Sequence, residues 1–258
     1  MPEGDTVYAT ARKLTEALGG VTLVRGELRH PRLSTVDLAG RVMVRTVSVG
    51  KHLFLRFDSE VSLHCHLRLD GSWRVYSRRP PINHRVRAIL ATPQKYALGE
   101  LLHDMALVST SDESKLVAHL GPDLLDPEWS DEHAEEAVRR LNLDPARELG
   151  EALLDQQVMA GIGNVYKSEI CYLLKVSPWA PVSAADPHKV VALARKLLLY
   201  NALNPIRNTT GDRRRGHELW IYGGRRECAR CGGPIAVSRQ DTRVTYHCPH
   251  CQPAPTGS

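Results

Sequence analysis

No stretch of the 258-residue chain approaches the ~18 consecutive apolar residues that a helix needs to span a bilayer, so no helical membrane segment is expected. The N-terminus has neither the basic segment nor the apolar core of a secretory leader. The chain is therefore expected in a reducing cytoplasm, where disulfides are rare. Internal repeats and low-complexity tracts are lacking too, which argues against a solenoid, and only residues 253–258 read as a disordered tail. Charge is not one-sided: 34 Lys and Arg against 29 Asp and Glu give a net charge of +5, which suggests an anionic partner without requiring one. With 42% hydrophobic and 24% charged residues the composition is that of a soluble globular protein, long enough for two domains with separate cores.

Cysteine is sparse but patterned. Of six cysteines, four fall as Cys228-x-x-Cys231 and Cys248-x-x-Cys251. Each C-x-x-C turn can aim two thiolates at one ion, and two such turns brought together by a hairpin complete a closed tetrahedron, so one structural zinc ion is expected. Redox pairs or buried thiols are the alternative. They leave unexplained the Gly232-Gly233-Pro234 turn after the first pair and the strand-like Val244-Thr245-Tyr246 before the second. Cys65 and Cys171 lie in apolar segments and are expected to be small buried residues.

The chain begins Met1-Pro2-Glu3-Gly4-Asp5. Removal of Met1 exposes a secondary amine with a carboxylate beside it. An α-amine titrates at about 7.7 to 8.0, so part of it is neutral at physiological pH and able to attack a carbonyl carbon. From Asp5 onward Val7, Ala11, Leu14 and Leu18 recur at helical spacing, with Asp5 or Thr6 as cap and Gly19-Gly20 as stop. Between Val21 and Leu107 the pattern alternates, with Leu53, Leu55 and Phe57 in one run and Val61, Leu63, Cys65, Leu67 and Leu69 in the next. Asp70-Gly71 reads as a tight hairpin turn into Ser72-Trp73-Arg74-Val75, and strands at such short spacing imply a sandwich or barrel. After Gly121-Pro122 helices are expected over 134–141, 148–154, 167–174 and 190–199. Residues 207–226 hold six arginines among glycines and threonines, a phosphate-facing stretch or a solvated loop.

The run Leu154-Asp155-Gln156-Gln157-Val158-Met159-Ala160-Gly161-Ile162-Gly163-Asn164-Val165-Tyr166-Lys167-Ser168-Glu169-Ile170 carries two glycines spaced by one residue at a helix start. Together with the Pro2-Glu3 start and the terminal four-cysteine motif, it resembles the helix, two turns, helix element of the formamidopyrimidine-DNA glycosylase and endonuclease VIII family of base-excision repair enzymes. The resemblance spans nearly the whole chain. It implies an α+β fold: an N-terminal antiparallel β-sandwich catalytic domain over 1–120, a helical DNA-binding domain over 121–219, and a β-hairpin zinc finger with a short tail over 220–258.

The resemblance also implies a bifunctional glycosylase and abasic-site lyase acting on double-stranded DNA as a monomer, in a bacterial-type cytoplasm. Pro2 would be the nucleophile at the deoxyribose C1′ and Glu3 the proton donor. Lys51, in Gly50-Lys51-His52-Leu53, would bind a phosphate beside the lesion. Asn164 and Arg243 would grip phosphates around the flipped nucleotide, and Leu69, with Arg68 beside it, would fill the void. For Leu69 the competing reading is the end of a buried strand face. Asp104-Met105-Ala106-Leu107-Val108 stands where the purine-directed branch carries an Arg-Phe-Gly loop, and Glu-Gly follows the proline. Both features resemble the endonuclease VIII branch, which favours oxidised pyrimidines. Thr6 in place of a glutamate and Asp70 in place of an aromatic residue depart from the pattern and point to a divergent subgroup. The alternatives are a purine-lesion glycosylase of the same family and a zinc-containing binder of damaged DNA that has lost catalysis.

Overall fold

A computed structural model describes residues 2–254. The chain divides into two compact units, Met1–His119 and Leu120–Ser258. In the first, α1 (Gly4–Leu18) presents Val7, Ala11, Leu14 and Leu18 as one buried stripe. It begins one residue before the expected cap, because the Glu3 backbone carbonyl already accepts from Thr6 N at 3.0 Å and Val7 N at 3.1 Å. At its end Gly19 is required by space: a Cβ there would lie 2.5 Å from the Thr15 carbonyl oxygen.

Nine strands follow: β1 (Val21–Thr22), β2 (Arg25–Leu28), β3 (Val42–Val49), β4 (His52–Phe57), β5 (Val61–His66), β6 (Ser72–Tyr76), β7 (Val86–Ala91), β8 (Tyr96–Glu100) and β9 (Asp104–Ser109). They form an antiparallel five-stranded sheet, β1-β3-β4-β5-β9, and an antiparallel four-stranded sheet, β2-β7-β8-β6. Met43, Leu53, Leu55, Phe57, Leu63 and Cys65 of the first sheet share one core with Leu28, Ala88, Leu90 and Ala97 of the second and with the α1 stripe. This is a sandwich, one of the two architectures that the alternation allows and the one the resemblance implies.

One local expectation is overturned. Asp70-Gly71 is not a tight hairpin turn, because β5 and β6 belong to different sheets and do not pair. The alternation of β5 stops at His66. Arg68 takes a left-handed backbone with φ of 53°, and Gly71 N bonds the Leu67 carbonyl at 2.8 Å, so the segment wraps once and crosses to the other sheet. Leu67 is buried and Leu69 is 66% exposed, which removes the buried-strand reading of Leu69.

At the outer face of β4 and β5, α2 (Glu113–Val117), a short helix, contributes the buried Glu113. Buried Glu113 receives both Arg56 Nε and Nη2, at 3.1 and 2.6 Å, and the Ser62 hydroxyl.

In the second unit α3 (Asp131–Leu141), α4 (Leu149–Leu154), α5 (Asn164–Leu174) and α6 (Pro187–Ala202) precede the hairpin of β10 (Ala236–Gln240) and β11 (Arg243–His247). α6 starts where Asp186 accepts from His188 N and Lys189 N, with Pro187 in its first turn. α5 is buried from Asn164 through Tyr172, packed by α4, α6 and β11, and is the hub of this unit. Among the described residues no helix is long and apolar enough to cross a membrane.

Glu113→Ala leaves the Arg56 guanidinium without its bidentate partner against a packed face. The expected loss of unfolding free energy is about 2–3 kcal/mol, the range for a partly buried charge-assisted bond. Urea titration checks it, and a loss under ~0.5 kcal/mol would contradict the role given to this ion pair.

Candidate active and metal sites

Pro2 is half-buried and Glu3 is fully buried, the latter in an extended conformation as the residue preceding α1. The Glu3 side chain does not cap the helix; its backbone does. A carboxylate is thus held out of water at the positive end of a helix whose buried stripe ties the chain start to the sandwich. Asp5 is also buried and accepts from the Thr6 hydroxyl at 3.2 Å. Met1 lies outside the described residues.

Lys51 occupies the two-residue turn Gly50-Lys51 that joins β3 to β4, with Val49 opposite His52 in register. Gly50 has φ of +57° and is buried, which a side chain would oppose. Behind Lys51 stands a cluster of histidines that the sequence reading left aside. His52 pairs with His66 and Phe54 with His64 across β4 and β5, so period-2 geometry puts all four rings on one face. His52 Nδ1 lies 2.9 Å from His64 Nε2, with the two rings stacked at 5.1 Å. His66 meets His52 edge-on at 5.3 Å, and His119 does so at 6.1 Å.

Burial, reinforced by the neighbouring imidazoles, pushes His52 down to about 4. Burial and then the Arg68 guanidinium push His66 down to about 4, with Lys51 adding to the shift. His52 and His66 are therefore neutral at physiological pH. Arg68, one of the residues expected on DNA, forms an exposed ion pair with Asp104, and Asp70 lies 3.5 Å from His103. These two pairs brace the base of the loop that carries Leu69.

In the second unit Asn164 opens α5 and donates from Nδ2 to the Val244 carbonyl. Its Oδ1 is buried with no hydrogen-bond partner among the described residues. Arg243 is exposed at the first position of β11, directly after the Asp241-Thr242 turn. The structure therefore brings Asn164 and the Arg243 strand together.

Sequence reasoning missed what fixes that strand. Fully buried Lys167 donates from Nζ to the Thr245 hydroxyl at 2.5 Å. Gln240 donates to Glu148 Oε2 at 2.7 Å and to the Pro178 carbonyl at 2.8 Å. Gly150 leaves the room for it, since a Cβ there would lie 2.2 Å from Gln240 Oε1.

Two more organising residues escaped the sequence reading. Gln156 staples the two turns ahead of α5: it donates to the Leu154 and Ile162 carbonyls and accepts from Gly161 N, whose φ of +112° requires glycine. Buried Glu169 accepts from the backbone amides of Trp220, Ile221 and Tyr222 at 2.8–2.9 Å and from the Thr209 hydroxyl. It thereby orders the arginine-rich stretch, in which Arg214 is bonded to Asp212 at 2.6 Å and Arg207 lies over the Tyr166 ring at 5.2 Å. Neither had a local signal, because each polar residue reads as ordinary until its partners are known.

The Sγ atoms of Cys228, Cys231, Cys248 and Cys251 all lie within 4.8 Å of one another. Cys228 and Cys251 are 3.8 Å apart, and Cys231 and Cys248 are 3.6 Å apart. Zinc–thiolate bonds of about 2.3 Å in a tetrahedron require edges of about 3.8 Å, so the donor set fits zinc. The Arg230 and Cys251 amides each point at a cysteine sulfur at 3.4 Å, and the Arg230 guanidinium lies 4.2 Å over the Tyr172 ring, joining this knuckle to the end of α5.

The depressed histidines generate a pH prediction. Their folded-state pKa lies below the ordinary value, so the unfolded chain binds more protons in acid. Stability is full above about 6.5 and is lost as pH falls toward about 4. The urea midpoint should fall across that window and fall less in His52→Gln; identical slopes in both proteins would contradict the cluster's role.

The comparisons with known proteins agree with this architecture. A model of the formamidopyrimidine-DNA glycosylase N-terminal domain matches residues 1–105, and one of the formamidopyrimidine-DNA glycosylase H2TH domain matches residues 120–205. The "Probable endonuclease 8 2" of Streptomyces coelicolor is 46% identical over 99% of this chain and 95% of its own length. The "DNA-(apurinic or apyrimidinic site) lyase Nei2" of Mycolicibacterium smegmatis is 46% identical over 98% of this chain and all of its own. Among solved structures, Lactococcus lactis Fpg in complex with DNA containing an abasic site superposes with a TM-score of 0.82 at 22% identity, covering 98% of this chain and 100% of that one, a likeness of fold. With both domain models matched in order and near-full-length relatives at 46% identity, the chain belongs to the formamidopyrimidine-DNA glycosylase and endonuclease VIII family of DNA-repair enzymes.

Proposed function

We propose that the protein is a bifunctional DNA glycosylase and abasic-site lyase that excises oxidised pyrimidines in the cytoplasm. The observation that carries this reading is the buried Glu3 carboxylate next to half-buried Pro2, directly ahead of α1. Pro2, freed of Met1, attacks C1′ of the flipped nucleotide. The C1′–N bond breaks and the base leaves with a proton; once the amine proton is lost, the C1′–O4′ bond breaks and an iminium forms at C1′. Glu3 supplies the proton that opens the sugar ring and later accepts one from C2′. The iminium withdraws electrons from C2′, so the 3′ phosphate and then the 5′ phosphate leave by elimination, with no water consumed in either cleavage.

Lys51, Asn164 and Arg243 bind phosphates around the flipped nucleotide. Leu69, exposed on a braced loop, fills the gap left in the stack, with Arg68 beside it. Zinc held by Cys228, Cys231, Cys248 and Cys251 keeps the knuckle behind the Arg243 hairpin closed; four thiolates leave it no open position, so it is scaffold.

The pyrimidine assignment is supported by β9, a regular strand over Asp104–Ser109 paired with β5 from end to end, with no loop inserted where the purine-directed branch has one. The relatives named endonuclease 8 favour the same branch. The relative named an abasic-site lyase supports a second reading, in which strand cleavage at abasic sites dominates over base removal.

On duplexes carrying thymine glycol, 8-oxoguanine or an abasic site, cleavage should be fastest on thymine glycol and the abasic site. Preference for 8-oxoguanine would move the protein to the purine-directed branch. Glu3→Gln should slow base excision by about 10²–10⁴-fold, the usual worth of a positioned proton donor, while Kd for abasic-site DNA changes little. Undiminished excision would remove Glu3 from the mechanism. Cys248→Ser should lose the single equivalent of zinc measured by elemental analysis and weaken DNA binding; normal metal content and affinity would refute the scaffold role.

A further inference from the structure

The register of the four-stranded sheet aligns one end of all its strands. Ser72 of β6 lies opposite Glu100 of β8, Glu100 opposite Val86 of β7, and Ala88 opposite Leu28 of β2. The loop that presents Leu69 enters β6 at this end. Two strands away His84 and Arg85 lead into β7, and three strands away Arg29, His30 and Arg32 follow β2. Hydrogen bonds bind this rim together: Leu101 N to the Arg85 carbonyl at 2.9 Å, Arg29 N to the Arg87 carbonyl at 2.6 Å, and the Arg87 guanidinium to the His84 carbonyl.

Residues 77–87 and 28–36 contain no Asp or Glu. Arg29, Arg32 and Arg85 are exposed, and none lies within salt-bridge distance of a carboxylate among the described residues. On these strands Glu27 is bonded to Arg25 at 2.6 Å and also attracts Arg29, and Glu100 lies 3.9 Å from Arg74. A row of exposed guanidinium groups, none in a salt bridge among the described residues, on a hydrogen-bonded rim has the chemistry of a phosphate-binding edge.

We infer that Arg29, Arg32 and Arg85 form a second DNA contact, which grips the backbone of intact duplex to one side of the damaged nucleotide. This rests on the proposed insertion of Leu69 into DNA. Strands about 4.8 Å apart put the rim roughly 10–14 Å from the entry to β6. At about 3.4 Å per base pair, that is roughly three to four base pairs from the lesion. The contact reads no sequence; it extends the footprint and sets the register of the duplex.

The test uses the full chain and the combined variant Arg29→Ala, Arg32→Ala, Arg85→Ala, with duplexes carrying a tetrahydrofuran abasic analogue. Flanks are either long on both sides or cut back to about two base pairs on one side or the other. Three lost phosphate contacts should reduce the slope of log K against log salt by about 2.7 on the long duplex. Wild-type affinity should fall on one of the two truncated duplexes and the variant should be indifferent to that truncation, with borohydride-trapping yield on a saturating long duplex carrying a natural abasic site unchanged in the variant.

An unchanged slope, or equal sensitivity of both proteins to truncation, overturns the inference while leaving the catalytic reading intact. Equal loss by the variant on every duplex would place these arginines at the lesion and likewise overturn it. A wild-type protein that neither traps nor favours abasic DNA would instead defeat the proposed function.

Discussion

In the proposed mechanism the nucleophile is the chain terminus, which has to be held by something other than its own backbone on both sides, because chain ends fray unless tied down. Here the tie is the buried stripe of α1. Val7, Ala11, Leu14 and Leu18 lock the helix against both sheets, and Glu3, buried ahead of it, extends the ordered region to the residue next to Pro2. The rest of the first unit serves this anchorage. The sandwich supplies the surface on which α1 lies, and the turn carrying Lys51 grows from a strand whose alternate residues belong to the same core. Behind that turn His52 and His66 are held neutral by burial.

The second unit solves a different problem, holding a two-stranded hairpin that would be marginal alone. α5 does so by being buried almost throughout. Asn164 and Lys167 reach β11, Glu169 gathers the backbone amides of residues 220–222, and Tyr172 packs against the cysteine cluster. Arg243 stands at the tip of this braced element. A long exposed arginine gains little from its own contacts, so its direction is set by the strand beneath it, and Gln240 pins that strand at its turn. The four-cysteine knuckle closes the opposite end of the same hairpin.

Much of this is legible in the sequence, for reasons that differ by element. The α1 stripe and the alternation of β4 and β5 are local periodicities imposed by one buried face, and these elements appear in place, with β5 ending at His66 rather than running on to Leu69. The cysteine spacing is legible because two short turns must each offer two thiolates to one point. Strand partnership is not legible in the same way: alternation says that a strand has a buried face but not which strand lies beside it. Hence Asp70-Gly71 read as a hairpin turn where the chain in fact crosses between sheets. Buried polar organisers were also invisible. Glu169 meets its partners 40 to 53 residues away and Lys167 meets Thr245 across 78. The histidine face of β4 and β5 could have been found, since His52, His64 and His66 share one parity once the two strands are paired.

The central claim is that the N-terminal proline is a covalent catalyst, and borohydride reduction during turnover on abasic-site DNA tests it most directly. Intact mass first establishes that the purified protein begins at Pro2, and peptide mapping then locates the adduct. The account predicts one stable protein–DNA crosslink, on the nitrogen of Pro2. An adduct on a lysine instead, or none in protein verified to start at Pro2, would contradict it.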